Sequence, residues 1–464
     1  MASDPHRRYR SRSLWLDLLD EPLTPRAQLG GDTHVDVAVV GAGLTGLWTA
    51  YYLSVARPGL RIMVIEREIA GFGASGRNGG WVSAGIAGSA SRYAKRHGRE
   101  GVVRGTLATN EAVDEVGRVA AAEGIECGFR KEGTLTVATS TPQRLRLQSA
   151  LDAMGALGTS NDDDVTLTAE GVAQHARVQG ALAGWFTPHA AAVDPARLTR
   201  GLAVACERRG VVIVEQTPVL QLGTGEVHTP MGTVRADTVI RSTESYSVQL
   251  PGHRRDYLPL TSLMIATEPL PDDVWQQIGW RSGLTIKDKR HLFFYAQRTV
   301  DGRIAIGGRG APYPLRKAMD PGREQHEATR QRLINVIRTH FPAAADAAIT
   351  HHWGGTLAVP RDWSMGVHFD PTTRTGWAGG YSGHGVVAAN ISGRTMAQLV
   401  LGEQSDLTSL PWVGHRSRRW EPEPLRWMAS RAIVQTLGSA DRFEDTTDRT
   451  ARRVRLVRRY LPPA

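Results

Sequence analysis

Three glycines, Gly41, Gly43 and Gly46, stand in the spacing G-x-G-x-x-G, and Glu66 follows twenty residues after the last of them. The chemistry open to such a set is the binding of a dinucleotide. Glycines let a pyrophosphate come up against the backbone, a helix N-terminus offers it unpaired amides and partial positive charge, and the acid accepts hydrogen bonds from a ribose. The elements needed to hold these groups are legible on both sides. Val37, Ala38, Val39 and Val40 form the short apolar run of a buried parallel strand. Leu44, Leu47 and Tyr51 continue at helical spacing, and Leu60 to Ile65 reads as a second strand ending at Glu66. This fingerprint alone does not separate a nicotinamide from a flavin dinucleotide.

The segment that follows the second strand does. Gly71-Phe72-Gly73-Ala74-Ser75-Gly76-Arg77-Asn78-Gly79-Gly80-Trp81 holds five glycines in eleven residues, too many for a regular element, so it must be a loop laid against something. A second such stretch, Gly376 to Val386, runs into a helix expected to reach about Leu401. Together these segments resemble the D-amino-acid oxidase superfamily of flavoproteins, in particular the branch of glycine oxidase, sarcosine oxidase and gamma-glutamylputrescine oxidoreductase. The likeness to the last of these is greatest. The resemblance implies FAD, bound without a covalent link, with the first loop along the ribityl chain and flavin ring. It assigns to the cofactor Gly41, Gly43, Leu44 and Gly46 of the turn, Glu66 and Arg67 after the second strand, and Gly73, Ser75, Arg77, Asn78 and Gly79 of the loop. It adds Val219, whose backbone would face the adenine, and Thr243 in the stretch Thr238 to Tyr246, where Ser242 stands in place of the family's usual alanine. The last loop contributes Gly380, Gly383, His384, Gly385 and Val386. A helix N-terminus beginning around Gly385 would stabilise the negative charge of a reduced flavin, and His384 would add a hydrogen bond or positive charge there. The alternative for His384 is a histidine that only caps or orders the turn.

The texture changes between the two loops. His291 to Arg298, Asp301-Gly302 and Arg303 to Gly308 read as a β-hairpin, because Asp-Gly suits positive φ and apolar residues flank it. The resemblance makes Tyr295 and Arg309, with His384, the residues that meet the substrate. Arg309 would grip a carboxylate by its planar fork, unless an internal salt bridge claims it, and Tyr295 would otherwise be a packed strand aromatic. Elsewhere Gly133 to Thr139 alternates like a strand, Asp194-Pro195 caps a helix running to Arg209, and Val211 to Val214 is a strand. The fold class expected is α/β, a Rossmann-like FAD-binding domain interleaved with a mixed, largely antiparallel β-sheet substrate domain. We assign 35–91, 165–250 and 356–464 to the first, 92–164 and 251–355 to the second, and 1–34 to a lead-in.

Composition narrows the classes. The 464 residues are 41% hydrophobic and 22% charged, globular values, with 50 glycines. Two cysteines, Cys127 and Cys206, exclude a disulfide framework and thiolate metal sites. His351 and His352 are adjacent rather than at ligand spacing, so no metal is expected. The net charge of +10 is concentrated at the ends, in Arg7, Arg8, Arg10 and Arg12 and in Arg452, Arg453, Arg455, Arg458 and Arg459, which read as solvated faces. No appended RNA-binding motif accompanies them. Leu456 and Val457 suggest a short helix at a subunit contact in a homo-oligomer. Asp17, Asp20 and Glu21 break the run Leu14 to Leu19 before it resembles a signal peptide, and no long uncharged apolar stretch follows. The expectation is a cytoplasmic enzyme that oxidises a primary or secondary amine, an amino acid or polyamine derivative. Hydride would leave for the flavin, the imine would hydrolyse to an aldehyde or keto product, and dioxygen or another acceptor would take the electrons. The alternatives are hydroxy-acid oxidation on the same fold and a flavoprotein acting on modified tRNA.

Overall fold

Two large sheets divide the work of the computed structural model, which describes residues 5–310, 315, 319 and 324–457. The first is ordered Gly366–Asp370, Thr375–Gly379, Gly232–Arg241, Thr33–Val40, Ile62–Ile65, Val212–Val214, with the hairpin of Gln221–Leu222 and Glu226–Thr229 at its side. Its centre is parallel. Val37 to Val40 pair with Ile62 to Ile65 on one edge and with Thr238 to Arg241 on the other. A parallel strand covered on both faces needs apolar residues at every position rather than alternation, and Val37, Ala38, Val39 and Val40 are all buried. Helix Leu44–Ala56 lies on this sheet and crosses helix Gly385–Leu401 closely. Gly393 permits that crossing, since a Cβ on it would stand 2.5 Å from Cβ of Trp48. Trp48 is itself fully buried, and truncation of such a side chain costs about 3–5 kcal/mol.

The second sheet runs Ile349–Val359, Leu258–Thr267, Ile304–Gly308, Phe294–Arg298, Thr285–Asp288, Thr134–Ala138, Ala183–Thr187, Val165–Thr168. It is antiparallel except where Thr285–Asp288 meets Thr134–Ala138. Period-two alternation gives it two different faces. Ile286, Phe294, Ala296 and Ile306 point into a core under helix Glu327–His340 that also holds Trp280, Leu333, Ile337 and Phe341. Lys287 and Tyr295, one residue out of phase, point into a cavity between the sheets. Sheet pairing moves one expected boundary. Val165–Thr168 and Ala183–Thr187 extend the second sheet, with the largely exposed Val165–Thr168 as its edge strand and neither buried as a doubly covered parallel centre would be.

The chain's beginning packs inward. Tyr9, Leu14, Trp15 and Leu16 are buried, and Arg8 and Arg12 pair with Glu68 and Glu324 at 2.8 and 3.2 Å. The basic start is therefore not simply a solvated face, because the apolar residues interleaved with the arginines dock it on the body. At the other end, Arg452–Leu456 forms one turn of 3-10 helix, and Arg458 and Arg459 lie outside the described residues. No helix among the described residues is long and apolar enough to cross a membrane.

Candidate active site

The cavity between the sheets has a volume of about 1230 Å³, above the roughly 300–1,000 Å³ of an ordinary ligand pocket. At one end lies the glycine turn. Gly41 has φ 104°, and a Cβ there would sit 2.9 Å from the carbonyl oxygen of Ser242. Gly46 faces inward, where a Cβ would fall 2.0 Å from the carbonyl oxygen of Gly41. It holds the turn and does not line the cavity. Gly43 differs from both, for its φ is ordinary, it caps helix Leu44–Ala56 without a side-chain acceptor, and it opens on the cavity. The Leu44 amide donates to Oγ of Ser75 at 2.9 Å, which ties the helix start to the glycine-rich loop.

Glu66 is held by two backbone donors, the amide of Ala42 at 2.8 Å and that of Glu68 at 2.9 Å. Burial raises its pKa against these amides. Each oxygen keeps a second lone pair, so a ribose hydroxyl can still be accepted. Arg67 stacks over Tyr246 at 5.1 Å and donates to Gln249 at 2.7 Å. Val219 and Thr243 line the same end, and Thr243 shares a hydrogen bond of 2.8 Å with Ser247.

Within the glycine-rich loop two polar residues act on the loop itself. Asn78 donates to the carbonyls of Ala74 and Ser75 and accepts from the Gly80 amide at 2.7 Å. Arg77 is 1% exposed, pairs with Glu324 at 2.7 Å and stacks over Phe72. Its charge is thus directed into the protein, although its residue lines the cavity with Gly73, Ser75, Asn78 and Gly79. Gly79 is required by a neighbour, since a Cβ there would stand 2.7 Å from the ring of Tyr295.

The far end is built by the last loop and the second sheet. Helix Gly385–Leu401 starts at the cavity with no side-chain cap, so the amides of its first turn, at Gly385 and Val386, point into it. His384 lies on the cavity wall, its side chain open to the cavity and walled in by the protein around it. Burial, then the neighbouring charges of Lys287 and Arg309, push its pKa down to about 4. A neutral imidazole offers a hydrogen bond, one of the two roles expected of His384. Gly380 lies behind the wall and gives its amide to Glu244 at 2.9 Å. Glu244 is a residue that sequence reasoning missed. It also accepts from the amides of Tyr381 at 3.0 Å and Ala358 at 3.0 Å, and so fastens the turn after Gly232–Arg241 to the last loop. Its only sequence signal is an acid within an otherwise small and polar turn.

Across from this helix stand Tyr295 and Arg309. Tyr295 shares a hydrogen bond of 2.9 Å with Ser262 and meets Trp81 edge-on, so it is a cavity residue as well as a packed one. Arg309 has no carboxylate partner among the described residues. One amino group donates to the carbonyl of Ser382 at 2.7 Å, and the guanidinium stacks over Phe293 and Trp363. The rest of its fork faces the cavity. Near the mouth His291, Asp441 and Glu444 bring potential metal-ligand atoms within 4.8 Å of one another. Those carboxylates are already satisfied, Asp441 by the amides of His291 and Leu292 and Glu444 by Arg146 and the Ala451 amide.

A glycine cradle at a helix start, an acid with spare lone pairs and a second helix start without a side-chain cap at the far end of one long cavity suit an extended dinucleotide. A family model described as DAO, FAD dependent oxidoreductase, matches residues 36–399. The chain belongs to this family. The oxidoreductase uses FAD. It is 29% identical over 390 residues to a Haemophilus influenzae protein named "Probable oxidoreductase OrdL", covering 81% of this chain and 85% of that one. It is 28% identical over 400 residues to the gamma-glutamylputrescine oxidoreductase of Escherichia coli, covering 83% and 89%. Among solved structures, glycine oxidase from Geobacillus kaustophilus superposes with a TM-score of 0.67 at 18% identity, over 82% of this chain and 99% of that one. The mixed α/β architecture is shared with that structure.

Proposed function

We propose that this oxidoreductase oxidises a primary or secondary amine to an imine, which hydrolyses to an aldehyde or keto product. The observation that carries the reading is Arg309, a half-buried arginine with no acidic partner among the described residues, beside Tyr295 and opposite the uncapped start of helix Gly385–Leu401. Such a pair can hold an acid group of the substrate by a fork of hydrogen bonds and leave its amine-bearing carbon toward the helix. FAD supplies the acceptor for the hydride that leaves this carbon. The chain supplies the setting: amides at Gly385 and Val386 favour negative charge at that end of the cavity. His384, neutral in this setting, positions by a hydrogen bond. Gly41, Gly43, Leu44, Glu66 and Val219 hold the dinucleotide end without a covalent bond, and Gly73, Ser75 and Gly79 its middle. The relative named for gamma-glutamylputrescine supports an amine as the substrate. Dioxygen completes the cycle and gives hydrogen peroxide.

Anaerobic mixing with amino acids, N-methyl amino acids, polyamines and hydroxy acids tests the proposal through bleaching of the flavin absorbance. Rapid bleaching by an amine is expected, followed by peroxide release on admitting air. Bleaching by hydroxy acids and by no amine would refute it.

A further inference from the structure

One charged group in the cavity is accounted for by neither glycine loop. Lys287, on strand Thr285–Asp288, stands directly opposite Tyr295 in the antiparallel register, and residues so paired project from the same face of a sheet. It lines the cavity with Tyr295, Arg309 and His384. Among the described residues no carboxylate pairs with it. The acids of the cavity wall are engaged elsewhere: Glu66 by the amides of Ala42 and Glu68, Glu244 by those of Gly380, Tyr381 and Ala358, and Asp288 by the amide of Phe294. Burial and the neighbouring Lys289 push the Lys287 ammonium down to about 8, so it keeps its charge at neutral pH without a counter-ion. An unpaired cation in a semi-enclosed site attracts an anion and repels a second cation.

Two further observations point the same way. Lys287 and Arg309 both depress the same imidazole, that of His384, so both act on the end of the cavity assigned to the substrate. The lining also carries Lys289, Arg452 and Arg455, while Arg146 and Arg290 there pair with Glu444 and with Asp288 and Asp445. An excess of one charge along a cavity concentrates ligands of the other.

We propose that Lys287 and Arg309 are the two anion-binding points of one substrate site, and that the substrate is an amine carrying two acid groups, an amino dicarboxylate or an N-substituted equivalent. Polyamines and simple monocarboxylate amino acids are disfavoured, the first by repulsion and the second by leaving Lys287 unpaired. The substrate assignment rests on the amine-oxidation reading, whereas the anion site does not.

The test separates them. Redox-inert acids, malonate, succinate and glutarate against acetate and propionate, are titrated into the FAD-loaded protein by calorimetry, with the flavin spectrum recorded alongside. The best dianion is expected to bind about 10- to 100-fold more tightly than the monoanions, the worth of one added charge-assisted hydrogen bond. Lys287→Met should abolish that preference while FAD content stays at the wild-type level, and Lys287→Arg should keep most of it. Equal affinity for both classes, no measurable binding of either, or a preference that survives Lys287→Met would overturn the anion site. Loss of FAD from Lys287→Met, with Lys287→Arg retaining it, would place the lysine on the cofactor and overturn it too. In the anaerobic panel, amino dicarboxylates should bleach the flavin fastest. Faster bleaching by polyamines or monocarboxylates would overturn the substrate class, and bleaching by no amine would refute amine oxidation while leaving the dianion titration to decide the role of Lys287.

Discussion

Gly43 and Gly46 belong to the same motif but answer to different neighbours, and this separates cofactor binding from folding. At Gly46 an added Cβ would lie 2.0 Å from the carbonyl oxygen of Gly41, a backbone atom that cannot move without opening the turn. At Gly43 the only close atoms belong to Ser75, with Oγ at 2.9 Å, and a side-chain rotation relieves the contact. Replacing Gly43 with alanine therefore costs the Ser75 hydrogen bond to Leu44, about 1 kcal/mol, and part of the N-cap preference, about 0.5–1 kcal/mol. The lower entropy of the unfolded chain returns about 0.4–1 kcal/mol. The net change in apo-protein stability is about 1 kcal/mol. Gly43→Leu projects further into the cavity, where a pyrophosphate must approach, and displacing charge-assisted hydrogen bonds there costs about 1.5–3 kcal/mol each. FAD affinity should fall by about 10- to 100-fold or more. Differential scanning fluorimetry of apo protein and quenching of FAD fluorescence on titration give the two numbers. The expected order is a small shift of apo Tm with a large loss of FAD affinity for Gly43→Leu, and a large loss of Tm for Gly46→Ala. Full flavin content in Gly43→Leu, or a Tm loss equal to that of Gly46→Ala, would refute the reasoning.

Three other outcomes are expected. His384→Ala should retain FAD but slow its reduction or shift its potential. Because burial and the adjacent Lys287 and Arg309 hold His384 near 4, the wild type should show no inflection near pH 6.5 that the variant loses. Precipitation with acid should release all flavin colour into the filtrate. Cys127 and Cys206 are buried, free and away from the cavity lining, so colour retained on the pellet would disprove non-covalent binding. Burial would raise Glu444, but hydrogen bonds from His291, the Ala451 amide and Arg146 outweigh it and hold the carboxyl at about 2. Its folded pKa lies below its unfolded value, so its stabilisation is present above pH 4.5 and is lost as pH falls toward 2. Glu444→Gln should accordingly lower Tm at pH 7 and flatten the dependence of Tm on pH in that window, and an unchanged slope in thermal melts would count against this assignment.

What the sequence made legible is what its residue types encode locally. The parallel strand, the turn at Gly41 and the helix from Gly385 to Leu401 could be placed because backbone demands are written in glycine spacing and apolar runs. The hairpin of Phe294–Arg298 and Ile304–Gly308 was announced by Asp301-Gly302 in the same way. Glu244 was illegible because its partners are backbone amides more than a hundred residues away. Arg77 sits in the loop as the resemblance implied, but the direction of its charge depends on Glu324, a distant acid no spacing reveals. Lys287 was unreadable for a related reason. A lysine on a strand reads as solvent-facing until the sheet's second face is known to close a cavity. His384 lies at the cavity end of the last loop, and its protonation was unreadable because it follows from its surroundings and from cations on other elements.

The brace behind the glycine-rich loop bears on the order in which this protein can be made. The indole of Trp15 donates to the carbonyl of Asn78 at 2.8 Å, that of Trp353 donates to the carbonyl of Arg77 at 2.9 Å, and the two rings meet edge-on at 6.3 Å. One prop is 63 residues before the loop and the other 276 residues after it. Contacts of such separation form late, after the entropy of long loop closure has been overcome. A nascent chain that has exposed its strand, turn and helix at Gly41 thus possesses the phosphate cradle but not the braced loop, which waits for strand Ile349–Val359 to leave the ribosome and join the second sheet. Tight capture of FAD in this sense signals that the segment at Trp15 and the strand Ile349–Val359 have met across the loop.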